Sequence, residues 1–412
     1  MIELNQAPEK VLIMAVQTEK YTDEQFQVLL AEMTSLTDTA GGQVVEVVTQ
    51  KLSRLDGQTA VGSGKLEDIV ALVEAREIEL VICLNALTPS MNRHLNEALG
   101  VRVIDRVQLI LDIFAMRARS KEGKLQVALA QHNYLLPRLY GQGKHLSRQG
   151  AGIGTRGPGE TKLESDRRHI RSQIHRIEQE LKLLGKHRER TRLRRQQGAE
   201  FNIGLVGYTN AGKSTLLTQL TQSPTYVQDQ LFATLDPLTR QLTLNGQTQF
   251  TLTDTVGFIE ELPTELIHAF KSTLEEIGYM DLLLHVVDTS DSARTLHEQT
   301  VTQLMAELGY QDIPVLTVYN KADLVSGEIV PTLFPSITIS AYEPVDLTRL
   351  EQAIWQELTQ SLEKVSIELT PAEAYQEATL RQKMLVTSFE FNEESGNYHL
   401  EGYQRKQVIE KE

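Results

Sequence analysis

The chain has 412 residues, of which 41% are hydrophobic and 23% are charged, and its net charge is −14. This length predicts two or three folded domains, and the composition excludes an intrinsically disordered chain. The single cysteine, Cys83, excludes an intrachain disulfide and a cysteine-based zinc site, and no apolar run approaches the length of a bilayer, so we expect a cytoplasmic protein without a membrane span.

The first predicted domain, 1–119, alternates short apolar runs with amphipathic stretches, which is typical of βα units around a mainly parallel sheet. Strands are predicted at 11–16, 44–48, 80–84 and 101–104. Residues 62–65 (Gly-Ser-Gly-Lys) look like a phosphate loop but lack the upstream glycine and the following Ser or Thr. An ATP-driven activity of this domain is therefore the least favoured alternative.

The second predicted region, 120–198, is a helical hairpin. Apolar side chains recur at alternating three- and four-residue spacings in 124–139 and again in 163–184, which predicts two long helices that pair in antiparallel fashion. The loop between them, 141–159, has seven glycines in 19 residues, which excludes a stable helix there.

The hairpin also carries the positive charge of the chain. Residues 138–195 contain 16 Lys and Arg against six Asp and Glu, a net charge of +10, which leaves −24 for the rest of the chain. Such a segment favours RNA as a partner, and Lys144, Arg148 and Arg156 at the glycine-rich tip are the candidate RNA contacts. The alternative is a solvated helix face, as most charge runs are.

A second α/β domain is predicted over 199–363, where the βα alternation restarts. A small αβ module is predicted over 364–412, with alternating runs at 385–391 and 398–403 on either side of a Gly-Asn turn signal. The expected fold class is thus α/β: an N-terminal α/β domain with a long helical hairpin, a second α/β domain and a small C-terminal αβ module.

The run from Gly207 to Ser214 (Gly-Tyr-Thr-Asn-Ala-Gly-Lys-Ser) carries the clearest chemistry. It follows a predicted strand at 203–206 and precedes an amphipathic helix, which is the context of a phosphate-binding P-loop. Its backbone N–H groups are expected to face phosphate oxygens, Lys213 to reach the β and γ phosphates, and Ser214 to ligate Mg²⁺. A plain glycine turn before a helix is the alternative, which this context argues against.

Three further signals follow in the order that a nucleotide switch needs. Asp254 and Gly257 end a predicted strand in an Asp-Thr-Val-Gly run, where the carboxylate can hold Mg²⁺ through water and the glycine N–H can reach a γ-phosphate. Thr234 is placed to supply a second hydroxyl to Mg²⁺. In Asn-Lys-Ala-Asp323, the aspartate can accept hydrogen bonds from N1–H and the 2-amino group of guanine, a donor pair that adenine lacks.

Together these patterns predict a GTP site in which Lys213, Thr234 and Gly257 act in catalysis and Ser214, Thr234 and Asp254 hold the metal. A backbone N–H at Ser340-Ala341 is placed to meet the guanine carbonyl. The full set of predicted nucleotide contacts is Gly207, Tyr208, Thr209, Asn210, Ala211, Gly212, Lys213, Ser214, Thr215, Phe232, Ala233, Thr234, Leu235, Asp236, Asp254, Thr255, Val256, Gly257, Asn320, Lys321, Ala322, Asp323, Ser340, Ala341 and Tyr342.

These residues resemble the translation-factor class of P-loop GTPases and, more closely, the HflX-type ribosome-associated GTPases. The most specific matches are at 150–164, 207–215, 232–237 and 254–259. The resemblance covers nearly the whole chain. It implies binding to the large ribosomal subunit and its ribosomal RNA, with the hairpin tip reaching towards the peptidyl-transferase region, and separation of stalled ribosomes under stress.

Two residues bear on hydrolysis. Ras-type GTPases place a Gln directly after Asp-x-x-Gly to orient the attacking water, whereas this chain has Phe258, which cannot do so. Hydrolysis by the protein alone is therefore expected to be slow, and the resemblance implies that the ribosome stimulates it. Packing of Phe258 in a core is the alternative, and it would still leave the Gln missing.

Asn210 occupies the P-loop position that faces the phosphates in potassium-stimulated GTPases, so K⁺ is a candidate second cofactor beside Mg²⁺. The alternative is that Asn210 merely tolerates the loop backbone and binds no cation.

The sequence therefore predicts a monomeric, cytoplasmic switch that binds GTP and GDP and docks on the large ribosomal subunit. The alternative is a GTP-gated RNA-binding or scaffold protein in which hydrolysis is incidental. A large stimulation of turnover by ribosomes would distinguish the two, because a docked factor receives groups that stabilise the transition state.

Overall fold

The structure is a computed structural model that describes residues 8–139, 158–196, 200–222, 231–232, 234–261 and 275–405, with the side chains of 164–186 in the second of these stretches. The chain divides into two compact units. The first comprises 1–182 together with 230–232 and 261–270, and the second comprises 183–229, 233–260 and 271–412. Within the part of the chain that the structure describes, no helix combines the length and apolar character needed to cross a bilayer.

The first unit is built on a four-stranded, wholly parallel sheet with the strand order β2-β1-β3-β4. The side chains of residues 11–16 in β1 are all fully buried, as expected for a parallel strand covered on both faces. The elements are β1 (Glu9–Gln17), α1 (Asp23–Thr39), β2 (Gly42–Lys51), α2 (Ser63–Arg76), β3 (Leu80–Cys83), α3 (Pro89–Leu99), β4 (Arg102–Asp105) and α4 (Arg106–Arg117).

Two long helices follow, α5 (Lys121–Arg138) and α6 (Pro158–Gln196). Lys121 at the start of α5 forms an ion pair with Glu180 of α6 (Nζ to Oε2, 3.5 Å), whereas His132, further along α5, lies near His169, earlier on α6. The two helices therefore run antiparallel, as the spacing of apolar residues predicts.

The second helix begins earlier than predicted. Its first residue is Pro158, so the last two residues of the predicted loop, 158–159, are helical; proline is tolerated in a first helical turn because its missing N–H has no partner there in any case. The boundary between the two units also falls inside α6, after Lys182. The rest of the predicted tip, including Lys144, Arg148 and Arg156, lies outside the described residues.

The second unit contains a six-stranded sheet with the order β10-β9-β8-β5-β7-β6, in which only the β6–β7 pair is antiparallel. Parallel strands align their carboxyl ends on one edge of the sheet, and this edge carries the predicted motifs. The elements are β5 (Phe201–Gly207), α7 (Lys213–Thr221), β6 (Leu238–Leu244), β7 (Gln247–Asp254), β8 (Leu282–Asp288), α8 (Arg294–Glu307), β9 (Val315–Asn320), β10 (Ser336–Thr338) and α9 (Pro344–Ser361).

The chain ends in a three-stranded antiparallel sheet with the order β11-β13-β12 and one short helix, α10. Gly396 supplies the left-handed turn residue (φ +71°) between β12 and β13. The bounds are β11 (Glu363–Leu369), α10 (Glu377–Arg381), β12 (Leu385–Asn392) and β13 (Asn397–Gln404). The predicted fold class is confirmed in both units.

Candidate nucleotide site

The P-loop turns sharply between β5 and α7, and two glycines make the turn possible. Gly207 and Gly212 have φ angles of +150° and +98°. A Cβ atom on Gly207 would lie 2.3 Å from the Val286 carbonyl oxygen, and one on Gly212 would lie 2.3 Å from Nδ2 of Asn320. Any other residue would therefore push the loop away from the strands that position it.

Lys213 is the first residue of α7 and is buried beneath the loop. Its ammonium group donates to the carbonyl oxygens of Gly207 (3.0 Å) and Tyr208 (2.7 Å). Burial lowers the pKa of Lys213 to about 8, against the opposing effect of the Asp254 carboxylate. An ammonium has three N–H donors, so one is left to meet a phosphate oxygen.

Three predicted metal ligands form a tight triangle of oxygen atoms. Ser214 Oγ lies 2.9 Å from Thr234 Oγ1, and both hydroxyls donate to Asp254 Oδ2, at 2.6 and 2.7 Å. Neighbouring ligands of an octahedral Mg²⁺ with bonds of about 2.1 Å are separated by about 3 Å, so this spacing suits that ion.

Asp254 gives a second indication that this site suits a cation. Its side chain is 0% exposed, burial raises its pKa, and its other oxygen, Oδ1, has no hydrogen-bond partner among the described residues. A buried carboxylate with an unsatisfied oxygen is costly unless a cation compensates it. The oxygen-only ligand set fits Mg²⁺.

The Asp-Thr-Val-Gly run lies against the P-loop through paired backbone hydrogen bonds. Thr209 N–H donates to the Phe258 carbonyl (2.8 Å), and Phe258 N–H donates to the Gly207 carbonyl (3.1 Å). The Thr255 hydroxyl donates to the Leu205 carbonyl (2.6 Å) and fixes the start of the run. The Phe258 side chain is 1% exposed, so the residue at the usual Gln position packs in the core and cannot orient water.

The predicted guanine-recognition residues meet at the ends of β9 and β10. Asn320 donates through Nδ2 to the Ala211 carbonyl (3.0 Å) and accepts at Oδ1 from Ala341 N–H (3.1 Å), which links the P-loop to the Ser340-Ala341 segment. Asp323 lies in a 3₁₀ turn (Ala322–Leu324) with an exposed side chain. A contact of Ala341 N–H with the guanine carbonyl stays a prediction.

Lys321 and the neighbouring strand complete this end of the site. Lys321 Nζ pairs with Asp288 Oδ2 at 2.6 Å, and Thr289 donates to the Asn320 carbonyl from both its hydroxyl (2.7 Å) and its N–H (3.0 Å). Asp288 and Thr289 are not among the predicted contacts, although Asp288 ends and Thr289 follows a strongly apolar strand at the edge of the sheet where the motifs converge.

Several other predicted contacts can be located in the structure. Phe232 is buried in the first unit, where its ring meets Phe114 edge-on with centroids 4.5 Å apart. Asn210 is exposed at the loop tip with a left-handed backbone (φ +61°), and Tyr342 is also exposed. Ala233 lies outside the described residues.

A further residue couples the P-loop to α8. Tyr208 accepts a hydrogen bond at its hydroxyl from Glu260 N–H (2.8 Å), and its ring stacks on His297 with centroids 3.6 Å apart. Glu260 in turn accepts from the Thr300 hydroxyl at 2.6 Å. The sequence places Tyr208 only as a nucleotide contact; its second role depends on tertiary packing that no local pattern encodes.

Comparison with known proteins gives consistent matches along the chain. Three family models match in order: a "GTP-binding GTPase N-terminal" region at residues 27–115, a "GTP-binding GTPase Middle Region" at 117–195 and a "50S ribosome-binding GTPase" at 202–321. The proteins named GTPase HflX in Alkalihalophilus pseudofirmus, Caldanaerobacter subterraneus subsp. tengcongensis and Escherichia coli are 48%, 47% and 39% identical to it. These matches span 96%, 95% and 90% of this chain and 93%, 91% and 88% of those proteins.

Proposed function

This chain belongs to the HflX family of GTPases, and from that premise we propose how its residues bind and hydrolyse GTP and which partner it serves. The P-loop N–H groups and the remaining N–H of Lys213 hold the β and γ phosphates. Gly257 offers its N–H to the γ-phosphate, and Asp323 accepts from N1–H and the 2-amino group of guanine. The observation that carries this assignment is the convergence of Lys213, Ser214, Thr234 and Asp254 at one edge of the sheet.

Ser214, Thr234 and Asp254 are the residues that would hold Mg²⁺. When bound, the ion neutralises charge on the β and γ phosphates. Thr234 and Asp254 then connect the presence of the γ-phosphate to the two segments that flank it, which is how a switch distinguishes GTP from GDP.

Potassium is the proposed second cation, with Asn210 as its protein ligand. Asn210 is exposed at the tip of the loop and has a left-handed backbone conformation (φ +61°). A monovalent cation there would offset charge that develops in the transition state. Turnover should therefore be faster in KCl than in NaCl at equal ionic strength, and equal rates would remove this role from Asn210.

The proposed partner is the large ribosomal subunit, bound in the cytoplasm by a monomer in the GTP state, with separation of stalled ribosomes as the outcome. One family model that matches the chain is described as a 50S ribosome-binding GTPase. The helix α6 supports an RNA partner, because Arg168, Arg171, Arg176 and Lys182 are exposed on it. Docking supplies or orders the group that replaces the missing Gln.

Steady-state hydrolysis with and without ribosomes tests this function. We expect purified ribosomes to raise turnover by more than about tenfold, because docking completes the set of groups that stabilise the transition state. A folded Lys213→Ala variant should hydrolyse GTP poorly in both conditions. Equal turnover with and without ribosomes would favour the scaffold alternative, and normal hydrolysis by Lys213→Ala would remove the P-loop from the account.

A further inference from the structure

Thr209 lies inside the P-loop turn, and its hydroxyl is buried. Its side chain is 6% exposed, and Oγ1 makes no hydrogen bond within the part of the chain that the structure describes. Leaving a buried hydroxyl unpaired destabilises the folded state. Two other buried threonines of the site do not bear this cost, since Thr255 and Thr289 donate to backbone carbonyls at 2.6 and 2.7 Å.

The position of Thr209 relates it to the terminal phosphate. A Cβ atom built on Gly257 would lie 2.8 Å from Thr209 Cγ2 and 3.1 Å from Lys213 Nζ. The Thr209 methyl group and the Lys213 ammonium therefore both lie next to Gly257, and the Thr209 hydroxyl shares its Cβ atom with that methyl group. In the proposed function, Lys213 and Gly257 are the groups that reach the γ-phosphate.

The hydroxyl is the one donor through which Thr209 can reach the nucleotide. Its backbone N–H already donates to the Phe258 carbonyl at 2.8 Å, so that group cannot turn towards a phosphate while the P-loop and the Asp-Thr-Val-Gly run stay paired. A threonine hydroxyl offers one donor and two acceptor sites, which allows it to serve a phosphoryl oxygen and a water molecule at once.

We propose that Thr209 is a further catalytic residue, whose hydroxyl donates a hydrogen bond to an oxygen of the γ-phosphoryl group and accepts one from the attacking water. This inference rests on the proposed nucleotide site. In Ras-type enzymes a Gln positions the attacking water, but here that position holds Phe258, which is buried and carries no polar group. The Thr209 hydroxyl, in the P-loop, would supply part of this positioning instead. The same contact distinguishes GTP from GDP, which lacks the γ-phosphoryl oxygens.

GTP hydrolysis in this arrangement does not require Thr209 to give up its proton. The water oxygen forms a bond to the γ phosphorus while the bond from that phosphorus to the β–γ bridging oxygen breaks, and its electron pair stays on GDP. The protons of the water pass to the inorganic phosphate and to solvent. Thr209 keeps its proton throughout and contributes orientation and a hydrogen bond to developing charge.

The test compares Thr209→Val with Thr209→Ser in the full-length chain. Valine matches the shape of threonine without its hydroxyl, and serine keeps the hydroxyl without the methyl group. We expect Thr209→Val to bind GDP with wild-type affinity, to bind a non-hydrolysable GTP analogue more weakly, and to lose about tenfold or more in the single-turnover rate of GTP hydrolysis. Thr209→Ser should recover most of that rate.

Two results would overturn the proposal. One is wild-type hydrolysis by Thr209→Val; the other is an equal loss of GDP and GTP affinity, which would mark a purely structural role. Thr251→Val is a matched control. Thr251, on strand β7, donates to Asn202 Oδ1 (2.9 Å) on strand β5 and is not one of the proposed nucleotide contacts. Lys213→Ala distinguishes failure of the proposed nucleotide site from failure of the Thr209 proposal. Normal GTP hydrolysis by Lys213→Ala would contradict the whole site. Normal hydrolysis by Thr209→Val together with impaired hydrolysis by Lys213→Ala would contradict only the role of Thr209.

Discussion

At the scale of single residues, we propose that base selectivity depends on the exposed carboxylate of Asp323. Asp323 has an exposed side chain in the turn that follows β9, and the preceding Asn320 is held by Ala211, Ala341 and Thr289. The residues that support the turn thus differ from Asp323, which is proposed to read the base. A change at Asp323 should alter selectivity without disturbing the loop.

Asp323→Asn should weaken GTP binding and admit XTP. The 2-amino group of guanine loses its carboxylate acceptor, whereas the 2-oxo group of xanthine gains an amide donor. Competition between the two nucleotides for the variant measures the switch, with hydrolysis of each as a second readout. Unchanged preference for GTP over XTP would show that Asp323 does not read the base.

His285 should make the second unit sensitive to acid. Burial in β8, helped by the nearby Lys213 charge, lowers its pKa from 6.5 to about 4. Between these two values the unfolded chain binds a proton that the folded chain excludes, so the free energy of unfolding falls as the pH drops from 6.5 to 4. The expected loss is on the order of 3 kcal/mol.

His285→Leu removes this dependence. Urea unfolding can be followed by the fluorescence of Trp355, the single tryptophan, which packs on Phe250 in the same unit. The difference in unfolding free energy between the variant and the wild type should grow in favour of the variant as the pH falls through the window. A constant difference would mean that His285 does not titrate in this way.

Some residues of the candidate site can be located from the sequence, and others cannot. The spacing of the motifs is enough to bring Lys213, Ser214 and Asp254 together, because the strands that carry them lie side by side and parallel. The burial of Phe232 against Phe114 and the unpaired hydroxyl of Thr209 depend on contacts between distant segments. No local pattern contains that information.

At the scale of elements, one buried carboxylate joins the sheet of the first unit to the helical pair. Asp105 ends β4 and caps α4 through Gln108 N–H (3.0 Å), while it also accepts from the Tyr134 hydroxyl (2.8 Å) and pairs with Arg138 (3.1 Å), both on α5. The Arg138 guanidinium lies over the Tyr134 ring, 3.4 Å from its centroid. Because α5 is held at its end, the hairpin is positioned by the sheet rather than by the loop alone.

Arg138→Met should release α5. Removing the cation that pairs with a fully buried carboxylate costs about 3 kcal/mol or more, whereas Tyr134→Phe leaves the ion pair and should cost about 1–2 kcal/mol. Hydrogen exchange of the α5 amides should accelerate in that order, and GDP affinity, which depends on the second unit, should stay unchanged. If the α5 amides of both variants exchange as slowly as those of the wild type, the contacts of Asp105 with Tyr134 and Arg138 do not hold α5 in place.

Most elements follow from local pattern, and the exceptions have physical reasons. Buried parallel strands such as 11–16 appear as continuous apolar runs, so their positions are predicted to within two residues. The start of α6 is missed because Pro158 and Gly159 have poor helix propensity, although a first turn tolerates both. Strand β11 is missed although its exposure alternates, because charged residues occupy one face.

At the scale of the whole molecule, charge is concentrated where the partner is expected. The basic stretch 138–195 carries +10 on a chain of net charge −14. Replacing Lys144, Arg148 and Arg156 with Ala should leave GTP affinity unchanged, since the nucleotide residues begin at Gly207. The slope of log affinity for ribosomes against log salt should flatten by about 2.1–2.7, because each of the three lost phosphate contacts contributes about 0.7–0.9. An unchanged slope would exclude these three side chains from the RNA interface.

We propose that the GTP state of this protein docks on the large ribosomal subunit and separates ribosomes. Sucrose-gradient profiles of ribosomes incubated with the protein and GTP, GDP or a non-hydrolysable GTP analogue test it most directly. With GTP and with the analogue, we expect the protein to co-migrate with the large subunit and the amount of intact ribosomes to decrease. With GDP, we expect neither effect. Identical profiles with all three nucleotides would contradict it.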